Sequence, residues 1–348
     1  SWPLHPAPEW PGYDARMHPQ DLSLGWQTEF ILHQLDARLN PQADCLAVCT
    51  DSNPTYYWGN CLLLPAAPGD GDLAHWLARF QALVAEGRAA VRHVAIGVDA
   101  PRAGLDLPAW VAAGFQIDET AVLALPPGAL RDPARPVRAR HWQLRPIDWT
   151  TEVDAFVDLQ SQDCHPYEPA GYRAFRRLQM ARYARLSQAG QAQWFGLWCD
   201  GTLAADCGLI RDAAAPGAVG RFQTVQTHPA WRRRGLCSAL VHGVSAWGLA
   251  HWQLARTVMC ADPHDVAVGI YRSLGFEDVG ASFNLQRNAP VDRGQAHPNP
   301  KMPTATSCGS AHITTRANCH WARPQALTPC TRAEHRPRRR QVGWVCTV

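Results

Sequence analysis

The sequence predicts an α/β chain made of two related halves and a tail, and three observations carry that expectation. Short runs rich in β-branched and apolar residues alternate with longer stretches of helical spacing from residue 20 to residue 289. The two halves of that stretch repeat one another. Trp110-Val111-Ala112-Ala113-Gly114-Phe115 lines up with Tyr271-Arg272-Ser273-Leu274-Gly275-Phe276, and residues 94–99 line up with 257–262, as a diverged internal duplication would leave them. After Val291 no sustained periodicity follows, and Pro, Thr, Arg and His dominate.

A length of 348 residues suits two domains of ordinary size, and a hydrophobic content of 46% supports real cores. Residues 1–19, rich in Pro and Trp, read as an unstructured extension without the apolar centre of a signal peptide. Residues 20–136 form the expected first domain. In it, Phe30, Ile31, Leu35 and Leu39 place a helix over 28–39, and strands follow at 46–50 and 56–64. Trp76, Leu77, Phe80, Leu83 and Val84 place a helix over 73–86. A strand at 91–98, a short helix at 107–113 and a strand at 120–125 complete the half.

The Pro/Arg-rich stretch around 127–142 contains the linker, set at 137–142, and 143–289 form the second domain. Its expected elements are helices at 152–162 and 172–189, a hairpin of 193–198 and 203–210 turning at Asp200-Gly201, and a strand at 221–227. Then come a helix at 236–254 and a strand at 256–261. Residues 290–348 are expected to be a disordered tail.

The most informative stretch is Val225-Gln226-Thr227-His228-Pro229-Ala230-Trp231-Arg232-Arg233-Arg234-Gly235-Leu236-Cys237-Ser238, a strand, a basic loop and a helix start. A helix N-terminus carries unpaired N–H groups and partial positive charge, so with arginines beside it this is a site for an anion such as a pyrophosphate. Arg232-x-x-Gly235-x-Cys237 resembles the acyl-CoA signature of the GCN5-related N-acetyltransferases, Gln/Arg-x-x-Gly-x-Gly/Ala, with a small Cys in place of Gly or Ala. Residues 262–276 resemble the second signature of that family, Asn-x-x-Ala-x-x-x-Tyr-x-x-x-Gly-Phe, with His264 in place of Asn.

The resemblance covers 143–287 and implies, for each half, a central mixed, mostly antiparallel sheet flanked by helices. It implies acetyl-CoA as acyl donor, attacked directly by the amine of a small-molecule or peptide acceptor. It also implies Tyr271 as the acid for the departing thiolate. Val225, Gln226 and Thr227 would meet the pantetheine arm and the thioester carbonyl. Arg232, Arg233, Arg234, Gly235, Leu236, Cys237 and Ser238 would hold the pyrophosphate, with His264 and Tyr271 beside the donor. The base for the amine has four candidates, His228, His165, Asp163 and Glu168. His228 sits at the strand end, but a surface role before Pro229 fits it equally well. A protein that binds acyl-CoA without turnover is the alternative reading.

The first half lacks these groups. Pro65 to Asp72 stands where the second half has its arginines, Asp70 and Asp72 would repel a pyrophosphate, and Trp110 stands where Tyr271 does.

From Val291 onward nine Lys/Arg face two Asp/Glu, a net +7, while the rest carries 24 against 28, a net −4. The body therefore has no general nucleic-acid character. No run of 18 apolar residues is present, so no membrane partner is expected. Eight of the twelve cysteines lie among apolar neighbours without metal spacing. They read as reduced thiols of a cytoplasmic protein without a metal, a monomer or homodimer. Cys308, His312, Cys319, His320 and Cys330 in the tail form no CxxC or HxxxH pair.

Overall fold

A computed structural model describes residues 17–288 except 34, 100–103, 163, 165–168 and 213–217. The expected extension and tail lie outside the described residues, as do the base candidates Asp163, His165 and Glu168.

The first half runs through α1 (Leu24–His33), β1 (Ala37–Pro41), β2 (Leu46–Thr50), β3 (Asn60–Leu64), α2 (Leu73–Phe80), β4 (Val94–Val98), α3 (Pro108–Ala112) and β5 (Gln116–Leu125). The second half runs through β6 (Trp142–Pro146), α4 (Val153–Gln160), α5 (Pro169–Gln188), β7 (Ala192–Cys199), β8 (Thr202–Arg211), β9 (Val219–Thr227), α6 (Leu236–His251), β10 (Arg256–Ala261), α7 (Val266–Ser273) and β11 (Glu277–Arg287).

One expectation fails early in the chain. The helix predicted over 28–39 ends at His33, and Leu39 lies in β1. Leu35 and Leu39 fit a helical stripe in sequence, but both stay more than a third exposed. The backbone of 37–41 gains ladder bonds to β2, with Ala37 opposite Thr50 and Pro41 opposite Leu46. Pairing therefore outweighs a helical turn with no core to bury. The β7–β8 hairpin turns at Asp200-Gly201 as expected, both residues having positive φ (49° and 81°).

All eleven strands form one mixed, mostly antiparallel sheet, in the order β1-β2-β3-β4-β11-β5-β10-β9-β8-β7-β6. Among the described residues only β3–β4 and β9–β10 pair in parallel. The halves exchange their last strands. β5 pairs with β10 of the second half, and β11 lies between β4 and β5 of the first. If β1–β5 are matched with β7–β11, the order reads the same from either direction, with β6 added at one edge.

Alternation along the strands gives each half two cores. On one face Leu62, Leu64 and Ile96 meet Trp76 of α2 and Trp110 of α3, while Cys207, Leu209 and Val225 meet Leu240 of α6 and Tyr271 of α7. On the other face α1 packs over Leu46, Val48 and Leu63, and α4 and α5 pack over Trp194 and Ile210.

Between α1, α5 and β9 the halves share a buried charged network. Arg221 Nη1 donates to Thr28 Oγ1 (2.8 Å), Arg221 lies 3.6 Å from Glu29, and Arg182 pairs with Asp36 (3.0 Å). Burial pushes the Glu29 carboxyl up to about 8, against the opposing pull of Arg221. Burial first, and then the Arg182 charge, hold His33 well below the usual histidine range.

The stretch joining the halves is laid against the second one. Arg131 N donates to Leu274 O (2.9 Å) and Arg138 N to Arg234 O (2.9 Å).

Candidate active site

The parallel strands β9 and β10 pair only where they begin, at Val219–Arg256, Gly220–Thr257 and Arg221–Val258. Beyond Arg221 they part, while β9 keeps its other neighbour β8 as far as Thr227 opposite Ala205. The cause is a bulge. The β8–β9 register shifts between Asp206 and Gly208, and Thr224 takes φ +49°, a left-handed conformation costly for a β-branched residue. Bulges add twist and bend a strand out of its ladder, which opens Val225, Gln226 and Thr227 towards the gap.

Past Thr227 the chain makes a short 3₁₀ turn, Pro229–Trp231, and enters α6 through Gly235 at φ +81°. Glycine suits this position twice over. The left-handed backbone disfavours a side chain, and a Cβ would come 2.8 Å from the Pro136 carbonyl oxygen. As N-cap residue Gly235 offers no capping oxygen, so the first-turn N–H groups of Leu236, Cys237 and Ser238 point out of the helix uncapped by its side chain. Arg233 and Arg234 are exposed, and Arg234 lies over the Trp231 ring at 4.7 Å. Arg232 Nε donates to Thr227 O (3.3 Å), tying the loop to the strand end.

The second parallel strand ends beside the first. Asp265 caps α7, its Oδ1 accepting from Ala267 N (2.9 Å). Burial raises its carboxyl, while the Ala267 N–H and the Arg232 charge pull it down, so the two loops are electrostatically coupled.

The structure brings most of the expected residues to this edge, in different capacities. Val225, Leu236, Cys237 and Tyr271 put their side chains into one apolar core, so the first three can serve a ligand only through backbone. Cys237 is accommodated there as a small apolar residue. Tyr271 is fully buried, its ring centroid 6.1 Å from that of Phe276. His228 Nδ1 accepts from Ala230 N (3.2 Å), so this imidazole caps the 3₁₀ turn. His264 is exposed in the turn before α7, with its N–H bonded to Asp262 Oδ1 (2.9 Å).

The opposite face of the bulge carries groups that sequence reasoning missed. Asp206 on β8, opposite Gln226, is fully buried. Its Oδ2 accepts from Gln160 Nε2 (2.6 Å) and Trp194 Nε1 (3.0 Å). Burial pushes this carboxyl up to about 7, against the pull of Trp194, Gln160 and the Arg176 charge. Tyr183 stacks on Trp194 (4.3 Å between centroids) and bonds to the bulge residue Thr224. The available signal was one acidic residue inside the apolar run Leu203-Ala204-Ala205-Asp206-Cys207-Gly208-Leu209-Ile210.

The corresponding edge of the first half is closed. β3 and β4 stay paired to their ends, Leu64 opposite Val98, and Asp99 N continues the ladder to Leu64 O (2.9 Å). The loop after β3 is bound to itself and to α3. Asp72 accepts from Gly69 N (2.8 Å), Asp70 accepts from Ala109 N (2.7 Å), and the buried Trp110 donates to Gly69 O (3.3 Å). Asp70 thus caps α3.

Eight cysteines are free thiols, and no group of three or more His, Cys, Asp or Glu that could hold a metal occurs among the described residues. No helix of the described residues is long and apolar enough to cross a membrane.

Two solved structures share the fold. A conserved protein of unknown function from Staphylococcus epidermidis ATCC 12228 is 10% identical, with a TM-score of 0.59 over 74% of this chain and 96% of its own. A GCN5-related N-acetyltransferase from Kribbella flavida is 17% identical, with a TM-score of 0.51 over 76% of this chain and 93% of its own. No curated protein matches the chain. The Acetyltransferase (GNAT) family matches residues 153–276, from the start of α4 to the Gly275-Phe276 turn, and so takes in the bulged strand, the basic loop and Tyr271. Over these residues the chain is similar to the GNAT acetyltransferase family.

Proposed function

We propose that the chain is an acyl-CoA-dependent N-acyltransferase, passing acetyl from acetyl-CoA to a primary amine by direct attack in a ternary complex. The observation that carries this reading is the parting of β9 from β10 directly in front of the α6 N-terminus, within the family-matched segment. Main-chain groups left without a ladder partner suit an amide-bearing arm, and a helix start flanked by Arg233 and Arg234 suits a diphosphate. These residues fit acetyl-CoA without any metal.

Each residue then has a task. N–H groups of Arg233 to Ser238 hold the diphosphate, and the arginine side chains add charge-assisted bonds. Backbone groups of Val225, Gln226 and Thr227 orient the pantetheine arm and polarise the thioester carbonyl, an interaction that strengthens as charge develops on the oxygen. Tyr271 supplies the proton that the leaving thiolate takes up. His228 acts by shaping the loop, since its Nδ1 lone pair is already engaged by Ala230 N.

The first half is read as non-catalytic, supported by its closed β3–β4 pair and its self-bonded aspartate loop. Calorimetric titration of the full chain with acetyl-CoA should therefore give one equivalent per chain. Arg233→Ala with Arg234→Ala should weaken binding roughly tenfold or more, since charge-assisted bonds are worth about 1.5–3 kcal/mol each. Gly235→Val should abolish binding, but it also collides with Pro136, so the arginine pair is the cleaner test. Unchanged affinity in the arginine variant would remove the diphosphate from this loop. A second equivalent of similar affinity would make the first half a working site. Binding without thiol release for any primary amine would favour a non-catalytic acyl-CoA-binding protein.

A further inference from the structure

Two carboxylates among the described residues are fully buried, Glu29 and Asp206. Glu29 has its cation, Arg221. Asp206 has no ion-pair partner among the described residues, and its two hydrogen bonds come from neutral donors on one oxygen, Oδ2. The other oxygen, Oδ1, has no partner. Nor does Gln160 Oε1, on the side chain that bonds to Asp206. A buried acceptor left unpaired costs about 1–3 kcal/mol, and more when charged, so two side by side offer a ready pair of acceptors to a further donor. Directly across the ladder, Gln226 Nε2 is a buried donor without a partner, on the strand that borders the gap.

The open groups divide by chemistry. Asp206 Oδ1 and Gln160 Oε1 can only accept, and an ammonium can only donate. Gln226 Nε2 can only donate, and an acyl carbonyl can only accept. The division matches the two reacting ends of an amide-forming step, with the amine on the β8 side of β9 and the acyl group on the gap side.

We propose that Asp206, with Gln160, binds the ammonium group of the acceptor and takes its proton, which makes the acceptor a primary amine that enters as a cation. This rests on the acyltransferase reading above. In the step, an N–H bond of R–NH₃⁺ breaks and its proton passes to the Asp206 carboxylate. The freed lone pair forms the C–N bond to the thioester carbon. The C–S bond breaks with its electron pair on sulfur, and the thiolate takes the Tyr271 proton. The nitrogen, acidic once the C–N bond has formed, gives up its second proton to the Tyr271 phenolate by way of water, leaving neutral amide, free thiol and protonated Asp206.

The surroundings leave Asp206 free to titrate alone. The groups facing it are Gln160 from α4, Arg176 and Tyr183 from the α5 region, Trp194 from β7 and Gln226 from β9. Arg176 stays charged, and burial pushes the Tyr183 hydroxyl up to about 12. A carboxyl held near 7 is matched to removing a proton at neutral pH.

The test uses the full chain, acetyl-CoA and a fixed panel of n-butylamine, ethanolamine, cadaverine and spermidine, following thiol release against pH. The native chain should accelerate acetylation of at least one of them, with a rate that rises through an apparent pKa near neutrality. Asp206→Asn, nearly isosteric, should lower that rate by a factor on the order of 10²–10⁴ and flatten the rising limb. Its acetyl-CoA affinity by calorimetry should be unchanged. Asp206→Glu should restore part of the rate and the pH limb. A panel without turnover by a native chain that binds acetyl-CoA overturns the inference and leaves donor binding standing. So does Asp206→Asn with the native pH profile, whatever its melting temperature. A native chain that does not bind acetyl-CoA overturns the acyltransferase reading itself.

Discussion

Tyr271→Phe is expected to lower the maximal rate of acetyl transfer by a factor on the order of 10²–10⁴, the usual worth of general acid–base catalysis. The substitution is well posed because the ring is embedded between α7 and the sheet with Phe276, Leu274 and Val268 in the same core. Phenylalanine keeps that packing and removes only the hydroxyl. Acetyl-CoA affinity, measured by calorimetry on the same preparation, should hardly change, because the diphosphate and pantetheine contacts proposed above lie on β9 and the loop before α6. A variant that turns over at the native rate would make Tyr271 a packing residue, with the thiolate leaving unaided. A variant that loses turnover together with several degrees of melting temperature would assign the hydroxyl a structural bond instead.

Deleting residues 1–136 is expected to leave a chain that does not fold cooperatively. Self-contained halves would predict the reverse, that the family-matched segment survives alone. The sheet argues against survival. β10 would lose β5 along all five of its registered pairs, from Thr257–Leu125 to Ala261–Ala121, and would become an open edge beside the cleft. β11 would lose both neighbours, β4 and β5. Arg221 would be left in an apolar setting without Glu29, and breaking a buried pair by removing one partner costs about 3–5 kcal/mol. That alone rivals the whole stability of a small domain. Thermal unfolding followed by circular dichroism decides the matter. A sharp transition with retained acetyl-CoA binding would mean that β11 can fold back onto β10.

The first half is thus read as a structural necessity for the second. It supplies β5 as the outer support of β10, one wall of the cleft, and α1 as the cover over Arg221. In that half β3 and β4 stay paired to their ends, and Asp70, Asp72 and Trp110 bond within the loop after β3 and to α3.

Local features were legible in the sequence because their causes are local. The turns after α3 and α7 match as the aligned residues lead one to expect. Gly114 and Gly275 take φ +88° and +102°, and Phe115 N and Phe276 N donate back to Trp110 O (3.0 Å) and Tyr271 O (3.1 Å). The Asp200-Gly201 hairpin, the strand Arg256–Ala261 and the positive φ at Gly235 follow from turn chemistry and residue size in the same way. The motif around Arg232 and Gly235 could be placed between a strand and a helix for the same reason.

What crosses the chain was decided only by tertiary structure. An alternating pattern says which face of a strand is buried but not which strand lies beside it, so the exchange of β5 and β11 could not be read. The bulge at Thr224 depends on Asp206 and Gly208 of the neighbouring strand, about eighteen residues earlier in the chain. In sequence Asp206 is a single acidic residue in an apolar run. That it forms no close ion pair among the described residues becomes visible only once α4, β7 and β9 close around it, because burial, not residue type, makes an open carboxylate oxygen costly.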